Sequence, residues 1–198
     1  MTYLEKIKDY NIRQALPIPE KTALLVIDMQ HYFDAISVPI LENVLSLTDA
    51  CRGARASIVY TRHGHRDPHR DGGMLGKWWG DLILCGSQSW ELNSKLNPYS
   101  SEPVIDKNRY SAFHNTDLDN WLRGNGVEDL IISGVLTNCC CETTAREAFV
   151  RDYRVFFVSD ATATVNEELH LASLKNLAYG FSYVVETEEL LRHFKFES

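Results

Sequence analysis

DLIISGVLTNCCCETTAREAF, residues 129–149, is the stretch on which the fold turns. The apolar run Leu130-Ile131-Ile132, bounded by Gly134, reads as a buried strand spanning Leu130–Ser133. From Glu142 to Phe149 the apolar spacing becomes helical, so the segment predicts strand, tight turn, helix. Cys139, Cys140 and Cys141 fall at the join. There the first helical N–H groups lack intrahelical partners and the helix dipole favours negative charge. A thiol so placed is expected to ionise more readily, and the thiolate is the reactive form. Taken singly, each cysteine reads more readily as a small buried residue at a helix start, as most unpaired cysteines are.

Working outward, Thr22–Asp28 (TALLVID) is a continuous apolar run ending in a carboxylate. Unbroken apolarity predicts a strand covered on both faces, as in parallel sheets. Pro39–Cys51 has helical spacing and reads as the crossover helix, followed by a strand at Ser57–Thr61. Further strands are predicted at Pro103–Lys107, Arg154–Val158 and Ser182–Val185, with helices at Asp117–Arg123 and Asn166–Tyr179. Residues 1–21 form a loosely helical lead-in closed by Pro17 and Pro19. Arg62–Gly80, polar and holding His63, His65, His69 and the Trp78-Trp79 pair, reads as a long loop, either functional or mobile. Alternating strands and helices predict an α/β fold, a doubly wound, mostly parallel six-stranded sheet with helices on both faces, in a single domain over 1–198.

Composition narrows the function. A 44% hydrophobic and 24% charged make-up is that of a globular protein. The net charge of -7 argues against a nucleic-acid surface. No run has the length of a membrane span or a signal-peptide core. Five cysteines, three of them adjacent, suit reduced thiols and a cytoplasmic setting better than a disulfide framework.

In open parallel sheets ligands bind beyond the carboxyl ends of the strands. Asp28, Lys107 and the cysteine cluster are all predicted at such ends. Alone, Asp28 reads as a turn cap and Lys107 as a solvated surface charge. Together they form a set in which a carboxylate takes a thiol proton and an ammonium keeps that carboxylate ionised. Phe33, Trp79, Tyr110 and Phe113 are candidates to hold a flat substrate ring. No cofactor is expected, although His63, His65, Asp67 and His69 offer donors for zinc or another divalent metal.

These residues resemble the isochorismatase-like cysteine hydrolases. The resemblance rests on Leu25–Gln30 (LVIDMQ), Lys107–Phe113 (KNRYSAF), Gly134–Ala145 (GVLTNCCCETTA) and Ser159-Asp160-Ala161. It implies Cys140 as nucleophile, Asp28 and Lys107 as its catalytic partners, a cis peptide at Val135-Leu136, and an oxyanion hole from the N–H groups of Leu136 and Cys140. CCETTAREAF and Asn166–His170 look most like the nicotinamidase branch. That branch implies hydrolysis of a small carboxamide such as nicotinamide through a thioester, and assembly into homodimers or homotetramers. His63-Gly64-His65 stands where many nicotinamidases carry a metal-binding Asp-x-His. The alternatives are isochorismatase-type cleavage of a vinyl ether with release of pyruvate, whose enzymes commonly lack the thiol, and a catalytically silent small-molecule binder.

Overall fold

The structure, a computed structural model, describes residues 2–196. In chain order the elements are α1 (Tyr3–Ile7), β1 (Thr22–Ile27), α2 (Asp34–Ser37), α3 (Leu41–Gly53), β2 (Ser57–His63), α4 (Pro68–Asp71), α5 (Gly73–Trp79), β3 (Val104–Lys107), α6 (Leu118–Gly124), β4 (Asp129–Val135), α7 (Glu142–Val150), β5 (Arg154–Ala163), α8 (Glu167–Gly180), β6 (Tyr183–Val185) and α9 (Thr187–Phe196). A π-helical turn, Thr137–Cys141, joins β4 to α7. The six strands form one sheet in the order β3-β2-β1-β4-β5-β6, every pairing parallel.

The side-chain period of a strand explains how the sheet is covered. In β1, Ala23, Leu25 and Ile27 enter a core with Ile7, Leu118, Leu122, Ala145, Ala148, Leu174 and Leu177, from α1, α6, α7 and α8. Leu24 and Val26 point the other way, into a core with Leu41, Val44, Leu47, Leu190 and Phe194 of α3 and α9. All six residues of β1 and all seven of β4 are buried, as central strands require. The two strands also approach closely at Gly134. Its φ of +111° lies in the region that favours glycine, and an added Cβ would sit 2.0 Å from the Ile27 carbonyl oxygen.

Two expectations need correction, and one element was missed. Arg62–Gly80 is not one loop: Arg62 and His63 extend β2, and α4 and α5 follow. Asp67 starts α4, its carboxylate accepting from the His69 N–H at 3.1 Å. β5 runs on to Ala163, because a register shift in its pairing with β4 lets the polar segment Ser159–Ala163 continue the ladder. Finally, α9 escaped the reading, although Leu190 and Phe194 sit one helical turn apart and bury against α3.

Candidate active site

The site lies beyond the carboxyl ends of β1, β2, β3 and β4. Asp28, the first residue after β1, has φ +49°, a conformation Asp tolerates better than most side chains. Its Oδ1 accepts from the Thr61 hydroxyl at 2.6 Å, while its own N–H donates to the Thr61 oxygen at 3.1 Å. Oδ2 accepts from Lys107 Nζ at 2.6 Å. Lys107 ends β3, pairs in register with His63, and donates a second bond to the Arg109 carbonyl at 3.1 Å. Both members of the ion pair are wholly out of water. Burial pulls the Lys107 pKa down, but Asp28 and the Cys140 thiol outweigh it and hold the amine charged.

Cys140 comes from the turn after β4. The Val135-Leu136 peptide is cis, as the resemblance implies. The Leu136 carbonyl accepts from the N–H groups of Cys139 and Cys141 at 3.1 and 3.2 Å, closing the turn around Cys140. Because β4 is the immediate neighbour of β1, with Ile27 opposite Gly134, this turn faces Asp28. The Cys140 thiol is raised above the ordinary thiol range, first by burial and then by Asp28, with Lys107 opposing. This reverses the expectation of a readily ionised thiol: removal from water outweighs the favourable helix start. Burial thus favours the protonated thiol, and the Asp28 carboxylate lies against it.

Above the thiol lies a cavity of about 280 Å³. Its walls are mostly apolar, from residues such as Phe33, Ile36, Leu75, Trp79, Leu136 and Val165, with Tyr110, Cys139 and Cys140 beside them and His63 and Asp81 as the polar exceptions. Three of the four predicted ring-binding residues, Phe33, Trp79 and Tyr110, are therefore on the wall, and Trp79 Nε1 donates to the Tyr110 hydroxyl at 2.7 Å. Phe113 is not. It is buried in the core, its ring stacked on Tyr153 with centroids 6.0 Å apart, because the chain turns inward at Ser111-Ala112.

Several residues went unread as parts of the site. Thr61 orients Asp28. Gln30 clamps the end of β1 to β2, accepting from the His63 N–H at 2.7 Å and donating to the His63 carbonyl at 2.9 Å. Tyr32 and Asp81 form a hydrogen-bonded pair of 2.9 Å among the lining residues. Their signal was only positional, since each lies at or near the end of an element.

The four candidate metal donors do not converge. His63 lines the cavity, and its pKa falls to about 4, through burial first and the Lys107 charge second. His65 Nδ1 pairs with Asp71 at 3.1 Å, Asp67 is taken up in capping α4, and His69 is exposed. His63 Nδ1 and His65 Nε2 are buried without hydrogen-bond partners, with ring centroids 5.3 Å apart. Two imidazoles are short of the three protein ligands a catalytic zinc uses. Among the described residues no group of three or more His, Cys, Asp or Glu side chains is placed to hold a metal ion.

Comparison with known proteins agrees with this geometry. The model of the isochorismatase domain matches residues 22–189. Nicotinamidase 3 of Arabidopsis thaliana is 48% identical over 188 residues, covering 93% of this chain and 94% of that protein. Enterobactin synthase component B of Escherichia coli (strain K12) is 36% identical over 180 residues, covering 87% of this chain but only 63% of that protein. Among solved structures, a cysteine hydrolase from Pseudomonas syringae pv. phaseolicola 1448A superposes with a TM-score of 0.88 at 30% identity, covering 94% of this chain and 100% of that one. A parallel sheet in this strand order, with an acid, an amine and a thiol delivered to one edge, thus joins a family match over most of the sequence: the chain belongs to the isochorismatase family of hydrolases.

Proposed function

We propose that the protein hydrolyses a small, flat carboxamide, nicotinamide being the leading candidate, with Cys140 as nucleophile, Asp28 as proton carrier and Lys107 as the cation paired with Asp28. The observation that carries this reading is the buried Asp28–Lys107 pair set against the Cys140 thiol at one end of an apolar cavity. As sulfur attacks the amide carbon, the thiol proton passes to the Asp28 carboxylate and the carbonyl oxygen takes the negative charge. The N–H groups of Leu136 and Cys140 are assigned to that oxygen. The tetrahedral adduct collapses to a thioester, the C–N bond breaks, and Asp28 returns the proton so that nitrogen leaves as ammonia or an amine. Water then adds to the thioester with Asp28 as base, releasing the carboxylic acid and restoring the thiol.

Substrate class follows from the walls. Phe33 and Trp79 offer faces for a planar ring, and no Lys or Arg is among the lining residues. Lys107 is already committed to Asp28. A dicarboxylate such as isochorismate finds no cation to offset its desolvation, which favours an uncharged amide. Similarity to Nicotinamidase 3 supports the same choice. We also propose a homodimer or homotetramer in the cytoplasm, consistent with five unpaired thiols and with no described helix long and apolar enough to cross a membrane.

The test is ammonia release from nicotinamide and a panel of related amides, run beside pyruvate release from isochorismate. Ammonia from an aromatic amide is expected, and Cys140→Ala should lower it on the order of a thousandfold or more. Pyruvate release, or a Cys140→Ala protein that still turns over the amide, overturns the reading.

A further inference from the structure

We infer that His170, which lies outside the cavity, is a positioning residue for the Cys140 thiol, acting through a directed hydrogen-bond relay that runs from Thr137 in the nucleophile's turn to Ser159 of β5. The inference rests on Cys140 being the nucleophile.

Every hydrogen in the relay can be assigned. His170 Nε2 lies 3.0 Å from the Ser159 carbonyl oxygen, which can only accept, so Nε2 carries the proton. Burial lowers the His170 pKa, leaving the ring neutral and Nδ1 a bare acceptor. The Thr137 hydroxyl, 2.8 Å from Nδ1, is therefore the donor. All three residues are buried. A histidine retained for packing alone has no use for both nitrogens; here one ties the turn and the other ties the sheet.

The surroundings bear the same reading. Asn138 accepts from the Thr164 hydroxyl at 2.6 Å, and Glu142 accepts from Ser173 on α8. Side-chain bonds to α8 and to Thr164, the residue after β5, thus hold the chain on both sides of Cys140. Of these, the Thr137–His170 bond lies deepest. Tyr3 of α1 covers the imidazole, with ring centroids 4.6 Å apart, and Lys6 pairs with Glu167 to hold α1 in place. The lead-in segment therefore shields the relay from water.

Three variants read this out. Thr137→Val keeps the shape but loses the donor; His170→Leu loses both bonds; His170→Gln offers an amide oxygen and an N–H group in nearly the same relation as the two ring nitrogens. Thr137→Val and His170→Leu should each lower kcat for nicotinamide on the order of tenfold to a hundredfold while KM stays within about twofold, the signature of a displaced reacting group rather than lost binding. His170→Gln should retain most of kcat, and the Thr137→Val/His170→Leu double variant should be no worse than the poorer single. Alkylation of Cys140 by iodoacetamide, followed by peptide mass, should slow in Thr137→Val and His170→Leu but not in His170→Gln, and needs no substrate. Parent-like kcat and alkylation in His170→Leu overturn the inference, as does a His170→Gln protein as impaired as His170→Leu. Should His170→Leu not fold, Thr137→Val against His170→Gln decides. If Cys140→Ala keeps its turnover, the amide reading fails by itself, and the alkylation rates still decide whether His170 places the thiol.

Discussion

Lys107 and Asp28 share a salt bridge from which water is absent on both sides, and such a bridge behaves unlike one at the surface. Removing a single partner leaves an uncompensated buried charge, at a cost of about 3–5 kcal/mol, whereas removing both leaves none. Lys107→Met is therefore expected to lose stability by that order in a denaturant titration, and Asp28→Asn/Lys107→Met to recover much of the loss while remaining inactive toward amides. Equal stability of the single and double variants would show that the pair does not carry its charges as described. This residue set was legible because strand ends in a parallel sheet converge whatever their distance along the chain. The ionisation of the thiol was not legible: a helix start is visible in sequence, but the depth of burial that outweighs it is a property of the assembled core. The same limit explains Phe113. An aromatic three residues past the cavity-lining Tyr110 says nothing of which way the backbone turns, and here it turns toward Tyr153.

Elements were legible to the extent that they bury a regular stripe. β1 and β4 declared themselves through unbroken apolar runs. α4 and α5 did not, since four and seven residues are too short to show a period and Gly72-Gly73 reads as a breaker. Their effect on the site is direct, because α5 brings Trp79 to Tyr110. The π-helical turn had no sequence signal beyond its cysteines. Helix α9 had one, in Leu190 and Phe194, and its role is structural: it closes the α3 face, on the other side of the sheet from the helices that hold the nucleophile's turn. Phe194→Ala should thus cost about 3–5 kcal/mol of stability by cavity formation, while leaving KM and kcat for the amide unchanged in protein that remains folded. A changed KM would link α9 to the site in a way the packing does not support.

For the molecule as a whole, His63 sets an acid limit. With a folded pKa near 4 against an ordinary value of 6.5, the unfolded chain binds a proton that the folded one refuses between those pH values. Stability from this residue is fully present above pH 6.5 and is lost as pH falls toward 4, by on the order of 3 kcal/mol. A His63→Gln protein should lose the corresponding slope in a plot of unfolding free energy against pH. An unchanged slope over that range would assign the acid limb to other groups.

The placement of β4 between β1 and β5 bears on how the polypeptide is born. The hydroxyl of Ser133 reaches back to the carbonyl of Leu25 across 108 positions. A ribosome extrudes β1 about a hundred residues before that partner exists, so the nascent chain carries an open strand edge with largely apolar side chains until β4 emerges. Shielding of that edge by a chaperone, with early closure of α3 over the adjoining face, becomes a condition for yield. Fragments truncated ahead of Asp129 are accordingly aggregation-prone species, not small working enzymes.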